Sequence, residues 1–198
     1  MNRYAFLIET YDTERLKTLT VWSQFADSDF EFRPETRVRT PHEHMVHQCV
    51  SEDAWMKNML GIQIDMALLP EQETRLDFIG HYAVATGLRL ELLNSMPEES
   101  FESITDFFDV RRSKAWVLTR RIAHSAHHRG QLVAYLRLLG YDLYSTYGPT
   151  ADTGGLFQNH AKVIYRYPTI DELVKGEQQG GKRPVLPGSG DKNPTERP

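Results

Sequence analysis

"SKAWVLTRRIAHSAHHRGQLVAYLRLLG", residues 113–140, decides the fold. It holds no proline, its one internal glycine is Gly130, and its apolar residues recur at helical spacing. Gly140 stands where a helix C-terminal cap belongs. The pattern predicts one long amphipathic helix from Ser113 to Leu139. His124, His127 and His128 crowd into five of its positions. Helical residues step by about 100°, so His124 and His128 share a face one turn apart, while His127 projects about 100° away from His128. Two imidazoles at i, i+4 can reach one cation at nitrogen–metal distances of about 2.0–2.1 Å. His124 and His127 are an allowed i, i+3 pair, so spacing leaves two pairings open. The line below His128 runs through Leu132, Tyr135, Leu136 and Leu139, which favours His128 as the inward residue.

Working outward, three more helical patterns precede this one. Residues 2–26 place Tyr4, Leu7, Ile8, Tyr11, Leu16, Leu19, Trp22 and Phe25 mostly at i, i+3, i+4 spacing. Residues 41–60 follow the connector "ADSDFEFRPETRVRTP" (26–41), with Thr40 as capping hydroxyl, Pro41 first in the helix and Glu43 in its first turn. Residues 72–94 form the third pattern, after a connector with Gly61 and Pro70. The stretch "FESITDFFDVRR" (101–112) has no clean period and reads as a short extended segment or an irregular lead-in. "YPTIDELVKGE" offers one short capped helix near 169–175. Four long helices with short connectors predict an all-α protein, an antiparallel four-helix bundle over residues 1–150. An irregular extension (151–175) would pack on the bundle. Residues 176–198, rich in Gly, Pro and polar side chains, would form a disordered tail.

The 198 residues carry a net charge of −4, 40% apolar and 25% charged residues, ordinary values for a globular domain. No concentrated Lys/Arg surface exists to neutralise several phosphates, so nucleic acid is not an expected partner. The pairs Arg111–Arg112 and Arg120–Arg121 read as solvated helix faces. Apolar runs are too short for a bilayer span, and the first residues lack a signal-peptide pattern. Cys49 is the only cysteine, which excludes an intrachain disulfide and a Cys-rich zinc site. A cytoplasmic location fits.

A tight divalent site wants a third ligand, and "PHEHMVHQCVSEDAW" supplies His42, His44 and His47. His47 lies in mid-helix, where it can face a partner helix. His42 and His44 lie near the helix start and read as solvated. With eight histidines in the chain, a solvated or hydrogen-bonded cluster competes with a metal site. Glu52 and Asp53 offer carboxylates, although helix-surface acids are usually just hydrated. Cys49 reads as a small core residue, and Trp22, Trp55, Trp116 and Tyr135 as core aromatics. His160 reads as exposed.

The stretches "FEFRPETRVRTPHEHMVHQCVSEDAW" and "IAHSAHHRGQLVAYLRLLGYD", followed by "YGPT", resemble the DinB/YfiT-like family of metalloenzymes over about residues 2–150. The family's His-x-x-x-His-Arg-Gly-Gln element maps onto His124 and His128, which precede Arg129, Gly130 and Gln131. Its single histidine from another helix maps onto His47. The resemblance implies a three-His divalent-metal site of zinc, nickel or iron, with His127 a neighbour. It implies Arg129 and Gln131 as packing or supporting residues. It also implies a homodimer and a small-molecule substrate. Chemistry would be that of a metal-dependent transferase or hydrolase, in some relatives with a low-molecular-weight thiol. The rival expectation is a stress-related, non-catalytic homodimeric binding or scaffold protein whose metal is structural or incidental.

Overall fold

The computed structural model describes residues 2–156 and 159–188. It is mostly helical. Four long helices dominate: α1 (Ala5–Trp22), α2 (Pro41–Trp55), α3 (Arg75–Ser95) and α5 (Lys114–Leu138). Between the last two lie a short helix α4 (Glu98–Glu102) and a hairpin of β1 (Ile104–Phe107) and β2 (Val110–Ser113). Helix α6 (Ile170–Gln178) follows a long irregular stretch.

The helix starts carry their own chemistry. The Thr40 hydroxyl accepts from the Glu43 N–H at 3.2 Å while the Glu43 carboxylate accepts from the Thr40 N–H at 2.8 Å. This reciprocal cap, with Pro41 at the first helical position, starts α2 as its sequence predicts. The Thr74 and Ser113 hydroxyls cap α3 and α5 by accepting from the Asp77 and Trp116 N–H groups. Helix α2 runs on through a π-helical turn, Met56–Leu60, that ends at Gly61 with φ +77°. Gly140, with φ +82°, follows the end of α5.

Helix α1 packs against α3 and α5, and α2 packs against α5. Two apolar clusters form between them. One gathers Trp22, Phe25, Phe78, Leu132 and Leu136; the other gathers Leu7, Ile8, Leu93, Phe101 and Val117. Cys49 lies in the first cluster, where burial pushes its thiol up to about 12. Polar side chains bridge the clusters. Glu52, fully buried, accepts from Tyr11 at 2.6 Å and Tyr82 at 2.7 Å. It also accepts from Arg121 at 3.3 Å, and Arg89 lies 3.7 Å away. One carboxylate on α2 thus binds α1, α3 and α5.

Several expectations need correction. The all-α class omits the hairpin: residues 104–107 pair antiparallel with 110–113 across a two-residue turn at Phe108 and Asp109. Phe108 takes φ +50° there, a conformation glycine usually supplies, so the turn carries no sequence signature. Trp116 is 39% exposed, because it packs on that hairpin's Phe107 and not in the core. Glu52 and Arg121 are buried against each other and not solvated. The tail does not begin at 176. Helix α6 continues to Gln178, and buried Glu177 accepts from Arg166 at 2.7 Å and from the Tyr167 hydroxyl at 2.6 Å. Gly176 belongs inside this helix because a Cβ there would fall 2.5 Å from the Tyr167 ring. The Tyr167 hydroxyl in turn accepts from the Lys182 N–H at 3.0 Å. The remainder of the expected tail, 189–198, lies outside the described residues.

Burial alone would raise the Glu52 carboxyl, but the Arg121 and Arg89 charges and the two tyrosine hydroxyls outweigh it, and its pKa is lowered. A carboxyl depressed on folding contributes stability that is present above its unfolded pKa and is lost as pH falls through the folded value. Glu52→Gln leaves two buried guanidiniums uncompensated and is expected to lower unfolding stability by about 3–5 kcal/mol at neutral pH. Denaturant melts across pH test this. The gap between wild type and variant should narrow as pH drops below the ordinary carboxylate range.

Candidate metal centre

His47 comes from the middle of α2, and His124 and His128 from the middle of α5. Arg121 locks these two stretches in register. Its guanidinium donates to Gln48 Oε1 at 2.6 Å, Ser51 Oγ at 2.9 Å and Glu52 Oε2 at 3.3 Å. Gln48 Nε2 donates back to the Ser125 carbonyl at 3.5 Å. The bonded residues flank the histidines on both helices, so the ring positions follow from a buried polar lattice.

Each of the three histidines offers one ring nitrogen, and these atoms all lie within 4.8 Å of one another. The ring centroids are 4.5 Å apart for His124–His128, 4.7 Å for His47–His128 and 5.4 Å for His47–His124. His128 is buried and the other two are half-buried, so the cluster sits at the edge of the core. His127 is exposed, with its ring 5.1 Å from that of His128. His42 pairs with Glu73 outside the cluster. His81 contacts the Leu68 carbonyl, and His160 is exposed.

The nitrogen distances suit a cation. His124 Nε2 and His128 Nε2 are 3.2 Å apart. Two nitrogens bound tetrahedrally at about 2.0–2.1 Å from one ion are themselves about 3.3 Å apart. The protonation state suits one as well. Burial, then the Arg121 charge and the neighbouring imidazoles, depress His124 to about 3. Burial and His47 depress His128 to about 4. Burial, then Arg39 and Arg121, lower His47. Neutral rings with free lone pairs are what ligation requires.

Gln131 Oε1 lies 2.9 Å from His128 Nδ1. With the amide oxygen as acceptor, Nδ1 carries the proton and Nε2 presents its lone pair to the cluster. Arg129 goes elsewhere. It pairs with Glu14 on α1 and the Tyr147 hydroxyl, and donates to Thr18 Oγ1 at 3.0 Å. The structure thus places Gln131 against a cluster histidine and Arg129 in the α1–α5 contact.

Two surfaces flank the cluster. On one side the Trp55 ring lies 5.3 Å from His124, with Phe107 of the hairpin stacked edge-on against it at 5.1 Å. On the other a cavity of about 900 Å³ opens, lined by Arg33, Arg39, His44, His47, Gln131 and Tyr135 among others. His44 is not solvated as its position near the helix start suggests. It is 1% exposed, because one turn before His47 its ring packs 5.2 Å from His128 and 5.8 Å from Tyr135.

Sequence reasoning passed over Arg121 and His44. A signal for Arg121 existed: positions 121, 125, 128 and 132 share one face of α5, and all four are buried. Nothing local marks His44, whose burial depends on α5.

Arg129→Ala is expected to lower unfolding stability by about 3 kcal/mol, the scale of breaking a buried ion pair. The imidazole NMR signals of His124 and His128 should stay in place. Large shifts of those signals would instead tie Arg129 to the cluster.

Comparisons with known proteins bear on the fold and the family. No curated protein matches the chain. Among solved structures, a DinB-like protein from Bacillus cereus ATCC 10987 superposes with a TM-score of 0.65 at 18% identity, over 74% of this chain and 100% of that one. A DinB-like protein from Bacillus subtilis superposes with a TM-score of 0.57 at 15% identity, over 71% of this chain and 96% of that one. At such identities they speak for the fold alone. The family model of the DinB family matches residues 1–155, most of the chain. The chain belongs to the DinB family.

Proposed function

We propose that this DinB-family protein binds a divalent metal through His47, His124 and His128 and uses it as a metal-dependent transferase or hydrolase. The observation that carries the reading is the convergence of three neutral imidazole nitrogens, from two helices, within 4.8 Å. Three protein nitrogens leave coordination positions open, the arrangement of a catalytic more than a closed structural site. Zinc, nickel and iron all suit imidazole, and affinity order does not choose among them. In this reading the four long helices serve as an antiparallel four-helix bundle, and the protein acts as a homodimer on a small-molecule substrate. When bound, the metal would polarise a substrate group or hold a low-molecular-weight thiol as its thiolate near neutral pH.

The chain's own residues have definite tasks. Gln131 keeps the His128 proton on Nδ1. Arg121 Nη1 lies 3.3 Å from His124 Nδ1, so in the metal-free chain that nitrogen accepts and Nε2 holds the proton. For His124 Nε2 to serve as a ligand the proton would have to sit on Nδ1 and the Arg121–His124 bond would have to open, while Arg121 would keep its bonds to Gln48, Ser51 and Glu52. Trp55 and Phe107 exclude water from one side of the cluster.

A second reading, a non-catalytic dimeric scaffold with an incidental metal, finds support in the outer face of α3. Leu76, Val84, Leu88 and Leu92 are 37–55% exposed there. Removing the metal would then change thermal stability and leave no transfer activity to lose.

Metal analysis separates the readings at their root. Purified protein is expected to hold one divalent ion per chain. The ion should be lost in His47→Ala, His124→Ala and His128→Ala and retained in His127→Ala. Equal loss in all four, or no ion in the wild type, contradicts the assignment. Gln131→Ala should weaken metal affinity by about 10–100-fold without unfolding the protein, as read by competition with a chromogenic chelator.

A further inference from the structure

We infer that the cavity beside the three histidines receives a carboxylate of the substrate, held by the Arg39 guanidinium and the His44 ring N–H. The inference rests on the proposed metal site only for what the other end of the substrate does.

The argument starts from charge. Five charged side chains other than histidine line the cavity: Arg33, Arg37, Arg39, Glu43 and Glu73. Four are already paired. Arg33 binds Glu43 at 2.8 Å, Arg37 binds Glu35 at 3.1 Å, and Glu73 binds His42. Arg39, among the described residues, makes no hydrogen bond or ion pair. Its charge nevertheless reaches the cluster, lowering His44, His47 and His128. One exposed guanidinium with no acid partner among the described residues therefore lines the cavity beside His44 and His47.

The second observation is independent. Both ring nitrogens of His44 are buried and have no partner. An imidazole carries at least one ring proton in either of its charge states, so this buried ring holds a donor that needs an acceptor. Leaving a buried donor unpaired is destabilising. A carboxylate in the cavity answers both demands, accepting from Arg39 in a charge-assisted bond and from His44. A neutral ligand would leave the Arg39 charge unmatched, and a cationic one would be repelled. One free guanidinium and one neutral donor match a monoanion better than a phosphate dianion. Binding the carboxylate there fixes the substrate's reactive end toward His47, the one cluster histidine that lines the cavity among the described residues.

The test uses three small thiols that differ only at the far end, with cobalt(II)-loaded full-length protein and thiolate-to-cobalt absorption as readout. 3-Mercaptopropionate should half-saturate at a concentration about tenfold or more below that of 2-mercaptoethanol, the worth of one charge-assisted bond. Cysteamine should bind most weakly. Arg39→Gln should erase the preference, and Arg39→Lys should restore part of it. Equal affinities in wild type, or a preference that survives Arg39→Gln, overturns the inference. A second arm needs no metal. In metal-free protein, propionate should shift the His44 imidazole NMR signals, propionamide should not, and Arg39→Gln should abolish the shift. No propionate effect overturns the carboxylate site even if cobalt binds. A propionate effect in a protein that takes up no cobalt upholds it and defeats the metal reading instead.

Discussion

The Glu52 carboxylate collects a hydroxyl from α1, a hydroxyl from α3 and a guanidinium from α5, all inside a fully buried pocket. An isolated carboxylate could not remain ionised there. The Arg121 and Arg89 charges and the tyrosine hydroxyls make it stable and make its position specific. Slipping α2 along α5 by one residue would break the Arg121 bonds to Gln48, Ser51 and Glu52 together. The histidines inherit that precision. His47 sits one residue from Gln48, and His124 sits three residues from Arg121, so the lattice that fixes the helices also fixes the cluster.

Burial first, and then neighbouring charge, keeps the imidazoles neutral. Two guanidiniums, Arg121 within the core and Arg39 at the cavity, lie near rings that are already partly desolvated. Both charges and the burial disfavour protonation. The result is a set of lone pairs in a shallow position between an aromatic wall and an open cavity. A purely structural site would be closed on all sides. The His47 side of this cluster opens on the cavity that Arg39 and His44 also line.

The helices were legible because their signals are local. The Thr40–Pro41–Glu43 start and the Gly140 end can be read from neighbouring residues, and so could the inward line of His128 through Leu132 and Leu136. The mid-helix position favoured His47 over His42 and His44, and the family motif pointed to the same residue. What escaped reading depends on partners distant in sequence. Glu52 is buried because Tyr11, Tyr82 and Arg121 converge on it from 41, 30 and 69 residues away. His44 is buried because α5 covers it. The hairpin was hidden by Phe108 taking a conformation that its residue type disfavours. The segment after Gly176 looked unable to fold because its anchors, Arg166, Tyr167 and Glu177, act through charge and hydrogen bonds and not through apolar area.

The most direct measurement is an anomalous difference map from crystals of the metal-loaded protein, collected on both sides of the metal's absorption edge. The account predicts a single peak, about 2.0–2.1 Å from one nitrogen each of His47, His124 and His128, with Arg121 still bound to Glu52. A peak held by His42, His44 or His127 in their place, or crystals with no peak at the three rings, would contradict it.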